Sequence, residues 1–489
     1  MHIDKLEANH DRAGDESDST QLPRRLGVFG LAFIFIAFNA PLAVLAGYLQ
    51  PAIAFGNGIG APVAFLAAGG LLALFQVGLL AMTRHMKSPG AFYTYIAEGL
   101  GKAPALAGSV LAAVAYVLFT VTCHVFFGLI METALDQVFG GHLMPWQGWS
   151  LVGIAIVTVL NLLRIDFTAK IIGIFVTLEI LVVLVYQAVV LVKGGPEGYS
   201  ASSFAPTEFL SGNAGLAVLF AITTMIGIEA MAVFREEARD PDRTVPRAAY
   251  SAIGFTTVFF ALAAWAYIVA VGPSQAVEDA RTAPVDSVLG TVQTYLGSVF
   301  PTLVSVLLVT SQIAACNSTQ AAGVRYLFSF GQDRILPQSL GRVHHKLGSP
   351  YIAVITSISM TLIIILALIT FSDDVVLIYG SAAGYGTMCF LLVMLATCAA
   401  VIVFFRRNPG LESVGKAVIA PGLAFIGLGF VVVLALLHID LMVGNKAAGM
   451  VFVAIVIAVI AIALGVARWL RLNRPDTYSR IGRQGEILK

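Results

Sequence analysis

Runs of about twenty apolar residues, separated by short polar segments, recur down the whole chain. Candidate helices cover about 27–49, 61–83, 105–136, 148–163, 168–192, 213–234, 246–272, 298–328, 350–370, 375–404, 415–438 and 447–469. A helix rises 1.5 Å per residue, so about 20 residues cross a hydrocarbon core of ~30 Å. The pattern therefore predicts an all-α polytopic membrane protein with twelve transmembrane helices. The third and eighth runs are long enough to tilt or to project beyond the bilayer.

Two of these runs are interrupted. Span 1 carries Ala37-Phe38-Asn39-Ala40-Pro41-Leu42-Ala43 near its middle. Pro41 removes a backbone donor and clashes with the preceding turn, and Asn39 puts a polar group beside it. Span 6 carries Met225-Ile226-Gly227-Ile228-Glu229. Glycine costs a helix about 0.8–1 kcal/mol against alanine, and a charge in hydrocarbon costs ~2.5 kcal/mol or more. Spans 1 and 6 lead the two halves of a five-plus-five division, an odd number that inverts the second copy. The matched interruptions predict a five-plus-five inverted repeat with broken helices 1 and 6. The first repeat would cover 23–194 and the second 211–407, followed by two C-terminal helices over 413–470 and a tail over 471–489. Backbone groups freed at a break must face a cavity instead of lipid. The N-terminus of a half-helix favours an anion such as a carboxylate, and exposed carbonyls suit an ammonium or a small cation.

Composition agrees with this class. Of 489 residues, 58% are hydrophobic and 12% charged, against about 25% charged in soluble domains. The net charge of +1 resides in loops and points to no nucleic-acid partner. With the N-terminus in the cytoplasm, 26 of the 29 Lys and Arg fall on the inner side, leaving only Lys193, Arg281 and Lys446 outside. The positive-inside rule then sets both the orientation and an even span count. Short loops and a basic inner face suggest a bacterial plasma (inner) membrane with both termini cytoplasmic. Residues 1–22 are polar and acidic, lack the features of a signal peptide, and read as a disordered cytoplasmic tail. Cys123, Cys316, Cys389 and Cys398 lie in apolar runs without a CxxC pair and read as small buried hydrophobes. Gly56-Asn57-Gly58-Ile59-Gly60 follows no strand and reads as a turn, and His344-His345 lacks further metal ligands.

Three stretches resemble one family. GIEAMAVFREEARDPDRTVPRA, from Gly227 to Ala248, is similar to the sixth-helix signature of the amino acid–polyamine–organocation transporters, of the bacterial amino acid permease type. SPGAFYTYIAEGLGKAPALAGS, residues 88–109, resembles the loop after the family's second helix. The segment from Arg325 through RILPQSLGRVHHKLGSPYIAV to Val354 resembles its eighth-to-ninth connection. The likeness runs from about Leu26 to Arg407. It implies twelve helices in an inverted repeat, with substrate between the broken first and sixth helices, lined also by the third, eighth and tenth. It implies transport of amino acids or amines by proton symport or exchange. The first-helix break departs from the family's glycine-rich form: here it reads FNAPLAVLAG, residues 38–47, which resembles putrescine importers and some other permeases.

Site candidates follow. The breaks place Asn39, Ala40, Pro41, Leu42, Ala43, Thr223, Thr224, Ile226, Gly227 and Ile228 at the substrate. Glu229 matches the glutamate that ends the family's sixth-helix break, which implies proton-linked gating; the plainer reading is a cap on the second half-helix. Glu179 lies about 13 Å deep in span 5, near the midplane. An intramembrane carboxylate defaults to function, and Glu179 reads as a proton carrier, the plainer reading being a neutral group bonded to a neighbouring helix. Asn317-Ser318-Thr319 stands at about the place where sodium-coupled relatives of the fold put a hydroxyl pair, which makes Ser318 and Thr319 candidate sodium ligands; interhelical hydrogen bonding is the alternative. His124, the one histidine inside a span, is a candidate cavity residue or a bonded structural one. The family often has an aromatic cap around Thr223; with threonine there, Phe220 is the candidate substitute.

These readings describe a secondary active transporter that imports an amino acid or small amine by proton-coupled symport with alternating access. An exchanger, or a sodium-coupled symporter of the same fold, is the alternative. No enzyme activity is expected, and no cofactor beyond the coupling ion, proton or sodium. The expected partners are the substrate and the lipid bilayer.

Overall fold

A computed structural model describes residues 27–86, 92–141, 143–163, 169–199, 201–227, 238 and 240–481. Glu229 and Ile228 lie outside the described residues. The described chain is all-helical, and ten of its helical segments are long and apolar enough to cross a membrane. Two shorter apolar helices, α1 (Val28–Phe38) and α9 (Ala214–Thr223), fall at the two interrupted runs. Between them come α2 (Pro41–Ala43), which runs on in wider π-type turns over Val44–Tyr48 and Ala52–Asn57, then α3 (Ala61–Thr83), α4 (Phe92–Leu100), α5 (Lys102–Phe139), α6 (Trp146–Leu163), α7 (Ala169–Lys193) and the short α8 (Pro206–Phe209). After α9 come α10 (Pro241–Val271), α11 (Ala276–Thr282), α12 (Pro284–Leu296), α13 (Phe300–Gln332), α14 (Tyr351–Phe371), α15 (Val375–Arg407), α16 (Ala420–Leu437), α17 (Ile439–Val443), α18 (Lys446–Asn473) and α19 (Pro475–Arg480).

Burial sorts these helices into a centre and a rim. In the most apolar stretch of α5, 89% is buried, against 17% in α18. Both are apolar all round, so position rather than patterning separates them. α5 is the central pillar, packing on α15, α13, α6, α4 and α18. On the other side α3 packs on α10, α9 and α16. The rim helices turn side chains such as Ile363, Leu366 and Ile457 outward, as lipid-facing surfaces do.

Three helices lie where loops are the expectation. α4 tucks Phe92, Tyr93, Tyr95 and Ile96 under the bundle, against α15 and α5. α11 and α12 cover the opposite end. The end holding α4 carries the cationic anchors. Arg84 donates to the Asp242 carbonyl at 3.2 Å and approaches Glu412, which also draws in Lys416. Arg407 donates to the Gly99 carbonyl at 3.1 Å.

Gly99 sets the approach of α4 to α15. A Cβ there would overlap the backbone of Ala400, its carbonyl carbon only 2.6 Å away. A backbone neighbour cannot rotate aside, so the helices must separate. Gly99→Ala is expected to cost about 1–3 kcal/mol and to lower the thermal-unfolding midpoint of the detergent-purified protein. Gly70→Ala, with nothing within 4 Å of the added Cβ, leaves that midpoint in place.

Candidate functional site

The first break forms between α1 and α2. Asn39 and Ala40 close α1 with tight three-residue turns onto Ile36 and Ala37. The Asn39 side chain then donates to the Phe35 carbonyl at 2.9 Å, the group its own backbone N–H would have served in a continued helix. Ala40 adopts φ +46°, the left-handed region that an alanine enters at a cost of ~1–2 kcal/mol. Pro41 follows at the first position of α2, where its missing N–H matters least.

The next residue, Leu42, would find its i−4 acceptor across the break. Its N–H instead donates to Glu179 Oε2 of α7 at 3.2 Å. Both residues are fully buried. Ser311 of α13 interacts with the same carboxylate, and Glu179 Oε1 has no hydrogen-bond partner among the described residues. The half-helix N-terminus expected to attract an anion thus holds a carboxyl group of the protein itself.

Beyond α2 the widened turns release another carbonyl, Gly47, which accepts from Tyr379 of α15 at 3.2 Å. Tyr48 packs on Phe126, accepts from Gln312 at 2.7 Å and donates to Cys123 Sγ at 3.4 Å. In the second break α9 ends at Thr223, and residues 224–227 turn. Gly227 takes φ +102°, which disfavours any residue with a Cβ. Thr223 shares a 2.6 Å hydrogen bond with Thr387 of α15, and Thr224 donates back to the Ala221 carbonyl at 2.8 Å.

The two breaks face one cavity of about 70 Å³, small beside the roughly 300–1,000 Å³ of a typical ligand pocket. Asn39, Ala40 and Thr223, Thr224 and Ile226 line it from the breaks. Tyr116, Phe119, Thr122 and Cys123 of α5 and Ala315 and Thr319 of α13 close it. Pro41, Leu42 and Ala43 are buried and, like Glu179, are not among the lining residues. None of the described lining residues is charged. Tyr116, Phe119 and Cys123 recur at helical spacing and share one face of α5, but the helix is apolar on its other faces too, so the sequence does not set this wall apart.

Of the other candidates Thr319 reaches the cavity, and His124, Ser318 and Phe220 do not line it. His124 stands one residue past Cys123, about 100° round α5, and is not among the lining residues. It is fully buried, with Nδ1 2.8 Å from the Thr120 carbonyl, so Nδ1 carries a proton. Thr319 donates to carbonyls of its own helix, at 3.0 and 3.1 Å, and Asn317 accepts from Asn161 of α6 at 2.9 Å. Ser318 is outside the lining, and Glu179 meets α13 at Ser311, two turns and about 12 Å before Thr319. Phe220 is buried beside α15, within 3.4 Å of a Cβ placed on Gly384, and does not line the cavity.

Comparison with known proteins gives a consistent result. A family profile described as amino acid permease matches residues 26–463. The amino-acid permease RocC of Bacillus subtilis is 22% identical over 369 residues, covering 71% of this chain and 74% of that protein. An uncharacterized transporter of Mycobacterium tuberculosis is 29% identical over 220 residues, 41% of this chain and 48% of the relative. The human cystine/glutamate transporter is 24% identical over 318 residues, 60% of this chain and 59% of its own.

The Glu179–Leu42 bond makes a stability prediction independent of transport. Glu179→Leu leaves a buried N–H unpaired, a loss of about 1–3 kcal/mol, and should lower the thermal-unfolding midpoint. Glu179→Gln keeps an acceptor oxygen and should hold most of it. Equal midpoints for the Leu and Gln variants would show that the bond contributes nothing.

Proposed function

The chain belongs to the amino acid permease family of the amino acid–polyamine–organocation superfamily, and from that premise we propose that it imports an amino acid or small amine by proton symport with alternating access. The family makes the protein a transporter rather than an enzyme. In this reading twelve spans form a five-plus-five inverted repeat with two helices appended, in a bacterial plasma membrane with both termini cytoplasmic. Substrate binds at Asn39–Ala43 and at Thr223, Thr224 and residues 226–228, where the two breaks face one cavity. His124 would act from behind the cavity wall.

One observation carries the coupling: the Glu179 carboxylate holds the first free N–H of α2. Charge on that carboxylate strengthens its bond to a donor and to the positive end of a helix. Protonation weakens both. A proton arriving at Glu179 would therefore loosen α2 at the residues that flank the substrate. Glu229 would take part from the second break. Neutral carboxylates remove a charge penalty and allow the inward-facing packing. Sodium coupling through Ser318 and Thr319 is the rival reading, supported by the place of Thr319 in the cavity wall.

The test is reconstitution in sealed vesicles holding a pH dye, without sodium, with amino acids and polyamines added singly. Symport predicts acidification on addition of substrate. Exchange or sodium coupling predicts none, and counterflow of labelled substrate with and without sodium then separates those two. Glu179→Gln should keep substrate binding and uncouple uptake from proton flux. Normal substrate-driven acidification in that variant would remove Glu179 from the proton path.

A further inference from the structure

A second cavity, of about 370 Å³, lies at the end of the bundle covered by α12. Glu132, Thr133, Asp136 and Gln137 near the C-terminus of α5 line it, with Asp286 from the first turn of α12. The charge distribution assigns this end to the outside. Thr133 and Gln137 continue the face of α5 that carries Phe119, Cys123, Phe126 and Ile130, at steps of three and four residues. The second cavity therefore stands over the first, with Thr133 about 15 Å beyond Cys123 along the same helix.

Thr133 sets this apart from a solvated acidic rim. It is only 6% exposed, yet it forms no hydrogen bond among the described residues, unlike Thr120 and Thr122 of the same helix, which donate to the carbonyls four residues back. Nor is its hydroxyl sealed away among the buried atoms that lack partners. It is left to the cavity it lines. Burial and then the neighbouring Asp136 carboxylate push Asp286 above the usual carboxylate range, against a hydrogen bond from Gln137. Two carboxylates are thus held close in a partly dry setting, and the C-terminal end of α5 adds its negative dipole. Glu132 is already engaged, accepting from the Trp146 N–H at 3.1 Å.

We propose that this outer cavity binds the primary ammonium group of a substrate with net positive charge, such as a diamine or a cationic amino acid, on its way to the breaks. The carboxylates of Asp136 and Asp286 and the free hydroxyl of Thr133 are the acceptors that three ammonium hydrogens require.

The proposal rests on the transport reading, so the decisive test is direct binding, which does not need transport. Putrescine, lysine and glutamate are titrated separately into the full chain in lipid nanodiscs. Putrescine or lysine should bind and glutamate should not. Asp286→Asn and Thr133→Val should each weaken that binding about tenfold, with unchanged thermal midpoints, and added salt should weaken it in the unaltered protein. Absence of binding by both cations, or equal affinity in the unaltered protein and both variants, would overturn the outer site. Binding that responds to the variants without any uptake in vesicles would leave the outer site standing and contradict the transport reading.

Discussion

Everything at the centre of this protein follows from one constraint: hydrocarbon cannot satisfy a free backbone N–H. Pro41 and the left-handed Ala40 interrupt the first apolar run between α1 and α2. Each group released there must find a protein partner. The Asn39 side chain serves the Phe35 carbonyl, Tyr379 serves that of Gly47, and Glu179 serves the N–H of Leu42. The first two partners are neutral and fixed. The third can gain or lose a proton. Of these three partners, then, the one that serves a free N–H is a carboxyl group, whose charge can change.

That choice also orders the site. A carboxylate belonging to the protein takes the helix N-terminus, so the cavity face of the breaks is lined by hydroxyls, aromatic rings and small apolar groups. The acidic groups stand at the other end of the same α5 face, in the outer cavity. Cationic side chains collect at the opposite end, where Arg84 and Lys416 tie the end of α3 to α10 and to the segment after α15, and Arg407 ties α15 to α4.

Much of this was legible in the sequence. The apolar runs are long and continuous, and α3, at Ala61–Thr83, matches its expected span residue for residue. Pro41 and Gly227 announced the breaks because proline and glycine act through backbone geometry, which is local. The partners of the breaks were not legible. Depth along α7 placed Glu179 near the midplane, but nothing local says that it meets Leu42, 137 residues away in sequence. The cavity wall was missed for a related reason: on a helix buried all round, such as α5, periodicity does not mark which face opens on a void. Apolar residues at Val285, Val288, Leu289 and Val292 recur with helical spacing and could have revealed α12. At 13 residues the helix is too short to span a membrane, so a search for spans does not find it. His124 stood out as an ionisable residue in a span, yet its Nδ1 is taken by the Thr120 carbonyl of its own helix, and its buried Nε2 has no hydrogen-bond partner among the described residues.

The central claim is that protonation of Glu179 and occupation of the breaks are linked. The most direct measurement is the proton count of binding: substrate is added to detergent-purified protein in weakly buffered solution, and the proton uptake is read across pH. Linkage requires that if a proton favours substrate, substrate favours the proton to the same degree. The account predicts net uptake of up to about one proton per substrate at Glu179, tighter binding as pH falls, and loss of that uptake in Glu179→Gln. Binding with no proton uptake and no pH dependence, or uptake that survives in Glu179→Gln, would contradict it.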